Sequence, residues 1–313
     1  MEGTVIKSTG SWLKVMTSDG EIFNCKLKGS FRIRGIKTTN PLAVGDRVTF
    51  DILDERNIGL ISDIQPRSNY IVRKATKLSK VAHILAANID QAAIVVTLAH
   101  PRTSTGFIDR FLVTTEAYHI PATIIFNKLD LYNNKIFDRL KDMIGIYENA
   151  GYKCVVVSAL KKENLEAVKA ILKDKITLLS GHSGVGKSEL INAIQPGLYL
   201  RTREISEYHQ KGLHTTTFAE MLPLSFGGYI IDTPGIKEFG LTDFNRKEIS
   251  ERFPEMRNLM HQCRFSNCTH VHEPGCAIKK AVETGEISFS RYENYLGILE
   301  DDYWKETESD YRY

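Results

Sequence analysis

Three groups of residues in this chain have the types and spacing to do chemistry. The first is Gly181, His182, Ser183, Gly184, Val185, Gly186, Lys187 and Ser188, followed by Glu189: a G-x-x-x-x-G-K-S loop between an apolar run and a helical one. In that context the loop's backbone N–H groups surround phosphates, and the dipole of the following helix favours their charge. The glycines let the backbone bend and approach closely. Lys187 is placed to reach the β- and γ-phosphates, and Ser188 to bind Mg²⁺. Asp232, at the end of "YIID", can hold the same Mg²⁺ through a water, and the Gly235 N–H in the D-T-P-G turn can sense a γ-phosphate. Between them, "HQKGLHTTTFAE" (209–220) offers Thr215 and Thr216, either of which can complete the Mg²⁺ shell. The polar approach from 197 to 213 has the character of a loop ordered by triphosphate.

The second group is Asn127, Lys128, Leu129 and Asp130, in "IIFNKLDL". The Asp130 carboxylate can accept from the N1–H and the exocyclic amine of guanine, a donor pair that adenine lacks. Asn127 can contact the base edge and tie neighbouring loops together. The stem of Lys128 can lie over the base with its charge in water. Ser158 and Ala159, in "VVVSAL", form a turn whose backbone can read the guanine oxygen. The third group is Cys263-x4-Cys268-x-His270-x5-Cys276. Three thiolates and one imidazole make a closed tetrahedral zinc set of structural type. His261, His272 and, less favourably, Glu273 compete as ligands.

The surrounding elements must position these groups. Residues 1–68 read as short strands ("GTVIKSTG", "WLKVMTS", "EIFNCKL", "DRVTFDIL", "IGLISDI") punctuated by turn residues. A small closed β-barrel follows, because closure removes exposed edges. An OB-type barrel suits the basic run beside it, and an SH3-like barrel fits the pattern nearly as well. From about 88, strands ("IDQAAIVVTL", "ATIIFN", "KCVVVSA", "KITLLSG", "YIIDTPG") alternate with helical runs at 107–118, 136–151 and 163–172. That rhythm means βαβ units around a mainly parallel sheet. Beyond about 245, "RKEISERFPEM", "AIKKAVETG" and "FSRYENYLGILEDDYWKE" read as amphipathic helices in a unit too small for a large core, the kind a metal staples.

Bulk properties fit this organisation. The chain has 313 residues, 42% hydrophobic and 25% charged, which is ordinary for globular protein. It has no membrane-length apolar run, and "MEGTVIKSTG" lacks a secretory layout, so a cytoplasmic location is expected. The net charge of +3 excludes little, but 26–37 and 67–80 each hold five basic residues and no acid, which favours a polyanion surface.

The base reader precedes the phosphate loop, the reverse of the usual order. Opening the sheet elsewhere and joining the old ends leaves such a site intact. Together with "PLAVGDRV" (41–48), "AANIDQ" (86–91), "HTTT", "DTPGI" and the zinc spacing, that order resembles the RsgA (YjeQ/YloQ) family, circularly permuted GTPases of small ribosomal subunit maturation. The resemblance covers essentially the whole chain. It implies an RNA-binding OB-fold (1–68), a permuted GTPase domain (69–245) and a helical zinc-finger domain (246–313). It also implies slow GTP hydrolysis stimulated by the small subunit, with that subunit, its rRNA and GTP/GDP as partners; no membrane partner and a monomeric state are separate expectations. Ile236 stands where many GTPases carry a glutamine that orients the attacking water. His214, beside the switch threonines, is the candidate in cis; ribosomal RNA or protein is the alternative. The rival readings are an RNA-binding module with a structural nucleotide, an ATP-using P-loop kinase, and a permuted GTPase of the large subunit.

Overall fold

The structure, a computed structural model, describes residues 1–9, 12–28, 42–54, 57–73, 83–198, 219–232 and 248–300. His214, Thr215, Thr216, Gly235 and Ile236 lie outside the described residues, as do most of the two basic runs.

Five strands build the barrel: β1 (Glu2–Ser8), β2 (Leu13–Met16), β3 (Ile22–Leu27), β4 (Arg47–Asp54) and β5 (Ile58–Ile64). They pair in the order β1-β2-β3-β5-β4, and β4 closes back on β1. The β3–β5 pairing is parallel and the others are antiparallel. This is the five-stranded Greek-key closure of an OB-fold, which settles the choice against an SH3-like barrel. Alternation does the sorting: Leu13, Val15, Phe23 and Cys25 point inward with Val5, Val48, Phe50 and Ile61.

A hairpin of β6 (Tyr70–Arg73) and β7 (His83–Ala87) leads into the central sheet. That sheet comprises β8 (Gln91–Val96), β9 (Ala122–Phe126), β10 (Lys153–Val156), β11 (Ile176–Ser180), β12 (Glu220–Pro223) and β13 (Tyr229–Asp232). Its order is β10-β9-β8-β11-β13-β12, parallel except for the last pair. All six residues of β8 are buried because both faces are covered. Ile94 and Val96 face the helices α1 (Thr105–Ala117) and α2 (Asn134–Asn149). Ala93 and Val95 face α3 (Leu165–Leu172) and α4 (Lys187–Ile194). Local signals start two of these helices: Ser104 caps α1 by accepting from the Phe107 N–H, and Asn133 caps α2 through Ile136. The phosphate-loop strand β11 lies mid-sheet, although β8, β9 and β10 precede it in the chain. The permutation is visible in that order.

The C-terminal unit departs from one sequence expectation. "RKEISERFPEM" does not form a single helix: a 3₁₀ turn at Ser250–Arg252 is followed by the short helix α5 (Pro254–Arg257). Phe253 between them is extended (φ −106°, ψ 104°), as the residue before a proline prefers. The helices α6 (Ala277–Glu283) and α7 (Phe289–Glu300) complete the unit. Its core is shared, because Val113 and Ala117 of α1 pack with Phe253, Met256, Ile278, Tyr295 and Ile298.

Candidate nucleotide site and metal centre

The nucleotide site is assembled at the C-terminal edge of the parallel strands. The turn after β11 has Gly181 at φ +146°, Gly184 at φ +84° and Gly186 at φ +88°. A Cβ at Gly181 would lie 2.6 Å from the Val95 carbonyl oxygen, so the turn is wedged against the neighbouring strand. Lys187 opens α4, and its ammonium donates to the Gly181 carbonyl (3.2 Å), folding back over the loop. The β13 register sets Asp232 beside Leu179, at the mouth of the same loop.

Asn127 follows β9 directly and is almost fully buried. Its Nδ2 donates to the Val185 carbonyl in the phosphate loop (3.0 Å), and its Oδ1 accepts from the Ala159 N–H (3.1 Å). One amide therefore ties the phosphate loop to the S-A turn, the linking role expected of it. The Ala159 N–H is engaged in that tie. Ser158 donates its hydroxyl to the Asp130 carboxylate and accepts from the Lys161 N–H (3.0 Å), so the turn orients the aspartate expected to read the base. The Lys128 ammonium, in a solvent-exposed contact, donates to the His100 carbonyl (2.6 Å), a fixed dipole within its reach. Glu189 is exposed on the first turn of α4.

Sequence reasoning missed several supports. The Tyr132 hydroxyl donates to the Asn127 carbonyl (2.7 Å) and accepts from the Leu98 N–H (3.0 Å). Burial raises this phenol above its ordinary range, so it keeps the proton it donates. The segment 97–104 between β8 and α1, with the first turn of α1, braces the phosphate loop: Thr103 bonds His182 (2.7 Å), Phe107 meets the His182 ring edge-on, and Pro101 packs beside Gly184. No local spacing marks these residues; only the pairing of β8 with β11 brings them to the loop.

In the C-terminal unit, one ligand atom from each of Cys263, Cys268, His270 and Cys276 lies within 4.8 Å of all the others. His270 Nδ1 is 3.6 Å from Cys263 Sγ and 3.4 Å from Cys276 Sγ. Zinc–sulfur and zinc–nitrogen bonds of about 2.3 and 2.0 Å at a tetrahedral angle require an S···N edge of roughly 3.5 Å, so the set fits zinc. Backbone N–H groups of Ala277 and Lys279 point at Cys263 and Cys276 sulfur, which suits thiolates. Glu273 does not join the ligands. It accepts from the Thr269 hydroxyl and from the Thr269, Val271 and His272 N–H groups, bonds that hold its carboxyl down at about 2. His261 and His272 are likewise outside the cluster found among the described residues.

A phosphate loop, an N-K-x-D turn and an S-A turn tied together by one asparagine define a P-loop GTPase, here with its strands circularly permuted. The comparisons narrow that class. The RsgA GTPase model matches residues 64–242, and the RsgA N-terminal domain model matches residues 2–61. The small ribosomal subunit biogenesis GTPase RsgA of Bacteroides fragilis is 54% identical over 96% of this chain and 97% of its own. Its namesake in Christiangramia forsetii is 52% identical over 96% of each. The crystal structure of YjeQ from Thermotoga maritima superposes with a TM-score of 0.78 at 38% identity, covering 95% of this chain and 96% of that one. The circularly permuted GTPase YloQ gives 0.74 at 30% identity, covering 98% and 95%. The chain belongs to the RsgA GTPase family.

Proposed function

We propose that this GTPase is a nucleotide-gated factor in late maturation of the small (30S) ribosomal subunit, acting in the cytoplasm as a monomer. The observation that carries the nucleotide reading is the Asn127 tie, which makes the phosphate loop and the guanine reader one site. The names of the close relatives support the subunit as partner. The barrel and the zinc unit then grip the subunit and its rRNA, with the GTPase domain (69–245) between them.

In the reaction, water attacks the γ-phosphorus, the bond to the β–γ bridging oxygen breaks, and GDP and phosphate leave. Lys187 neutralises charge developing on the β- and γ-phosphates, and Gly181 to Ser188 supply N–H donors. Ser188, Asp232 and one of Thr215 and Thr216 would hold Mg²⁺, which supplies charge neutralisation. Asp130 and the 158–159 turn select guanine. Gly235 senses the γ-phosphate, and His214 positions the water in place of Ile236. Cys263, Cys268, His270 and Cys276 would hold zinc as a structural staple.

Co-sedimentation with separated ribosomal subunits tests the cycle. We expect the small subunit to retain the protein with a non-hydrolysable GTP analogue and to release it with GDP; equal retention would overturn the proposal. Lys187→Ala should abolish the gated behaviour, whereas a passive RNA binder would tolerate it. His214→Ala should remove subunit-stimulated turnover while leaving nucleotide binding in place.

A further inference from the structure

His182 is the one imidazole in the phosphate loop, and both of its nitrogens have defined partners. Nδ1 lies 3.0 Å from the Ser183 carbonyl oxygen, and Nε2 lies 2.7 Å from Thr103 Oγ1. A carbonyl only accepts, so Nδ1 carries the proton. In the neutral ring Nε2 is then a bare acceptor, and the Thr103 hydroxyl donates to it. Thr103 is buried, and its oxygen also accepts from the Thr97 N–H (3.1 Å), while its own N–H donates to the Thr97 carbonyl (2.8 Å). The relay Thr97 N–H, Thr103 O–H, His182, Ser183 carbonyl therefore has one direction throughout. Phe107, on the first turn of α1, holds the ring edge-on at 5.6 Å between centroids.

The anchored group at the end of this relay is the Ser183–Gly184 peptide. A trans peptide is planar and points its C=O and N–H in opposite directions. Holding the Ser183 carbonyl against the imidazole turns the Gly184 N–H away from it. We propose that His182 is a positioning residue for GTP hydrolysis: it orients this peptide so that the Gly184 N–H donates to the β–γ phosphate region, where charge grows as the bond breaks. This rests on the GTP reading of the site. Gly184 itself, at φ +84° with Pro101 against it, permits the orientation, and His182 selects it.

The test uses full-length His182→Phe, His182→Gln, Thr103→Val and the Phe/Val double variant. The readouts are affinity for a fluorescent GDP and the single-turnover rate of GTP hydrolysis. Phenylalanine keeps the ring contact and loses both nitrogens; valine removes one hydroxyl isosterically. Each single loss should slow hydrolysis about 10-fold, below the 10²–10³ of deleting such a donor outright, and leave GDP affinity within about threefold. The double variant should be no slower than His182→Phe. Glutamine, which both accepts and donates, should restore the rate to within about threefold. Unchanged hydrolysis, equal losses of GDP affinity and rate, or multiplying effects in the double variant would each overturn the proposal. Should His182→Phe fail to fold, Thr103→Val alone decides between the same outcomes. If the unsubstituted protein does not bind guanine nucleotide, the GTP reading falls instead, a result distinguishable at the first titration.

Discussion

At the scale of residues, the site hinges on a close approach between two loops from separate strands. A Cβ at Gly186 would lie 2.5 Å from Asn127 Nδ2, and the backbone there has φ +88°. Gly186→Ala must therefore strain the turn and push Asn127 off the Val185 carbonyl. We expect guanine-nucleotide affinity to fall about 10²-fold, as for displacing a positioned group by an ångström, with far-ultraviolet circular dichroism unchanged. A fluorescent-GDP titration checks this, and retained affinity would show that the Asn127 tie is dispensable. Asn127, Asp130 and Lys187 are legible in the sequence because phosphate and base chemistry demand those types at short fixed spacings. Thr103 and Tyr132 are not. They act through partners 79 and 34 residues away, and a threonine or tyrosine carries no local mark of such a role.

At the scale of elements, the two stretches that carried the family resemblance without a stated chemistry turn out to face each other. "PLAVGDRV" and "AANIDQ" meet where the barrel joins the GTPase domain: the Ala87 N–H donates to the Val44 carbonyl (2.8 Å), and Asn88 Nδ2 to the Gly45 carbonyl (3.0 Å). Asp46, fully buried, takes Arg67 through two bonds of 2.6 and 2.7 Å. Arg67 opens the basic run at 67–80, yet its charge is committed to this junction rather than to a polyanion. A second link pairs Lys7 of β1 with Glu220 of β12, in register and by a salt bridge of 2.9 Å. Gly45 sits at φ +92°, and a Cβ there would fall 2.0 Å from the Ala87 oxygen. Gly45→Ala should cost about 1–3 kcal/mol in strain alone and loosen the joint. Limited proteolysis should then cut between barrel and GTPase domain faster than in the parent; an unchanged cleavage rate would argue against a tight junction. Strand identity is readable from alternation, but strand partners are not, because pairing is decided by contacts distant in sequence.

At the scale of the whole molecule, one helix is shared between the GTPase domain and the C-terminal unit. α1, whose first turn braces the phosphate loop through Phe107, presents its other side to the C-terminal unit. There Arg291 of α7 is almost fully buried, pairing with Asp109 of α1 (2.7 Å) and Glu255 of α5 (2.7 Å), and stacked over Phe253. Burial works against its charge, but the two carboxylates outweigh that and hold its pKa above the ordinary arginine value. The C-terminal unit, expected to be too small for a large core, shares both its core and its ion pairs with α1. Two independent perturbations follow. If Cys263, Cys268, His270 and Cys276 hold zinc as proposed, a chelator should loosen the 263–276 loop, because a closed structural site contributes folding energy directly. Arg291→Ala should leave the zinc ligands in place but strand two carboxylates inside the interface, at a cost of about 3–5 kcal/mol. Urea unfolding of the zinc-loaded protein checks the second. If Arg291 joins the units, the variant loses stability and its C-terminal unit becomes protease-sensitive while zinc stays bound. If zinc alone holds the unit, stability and cleavage will match the parent, and the ion pairs will prove to be bystanders.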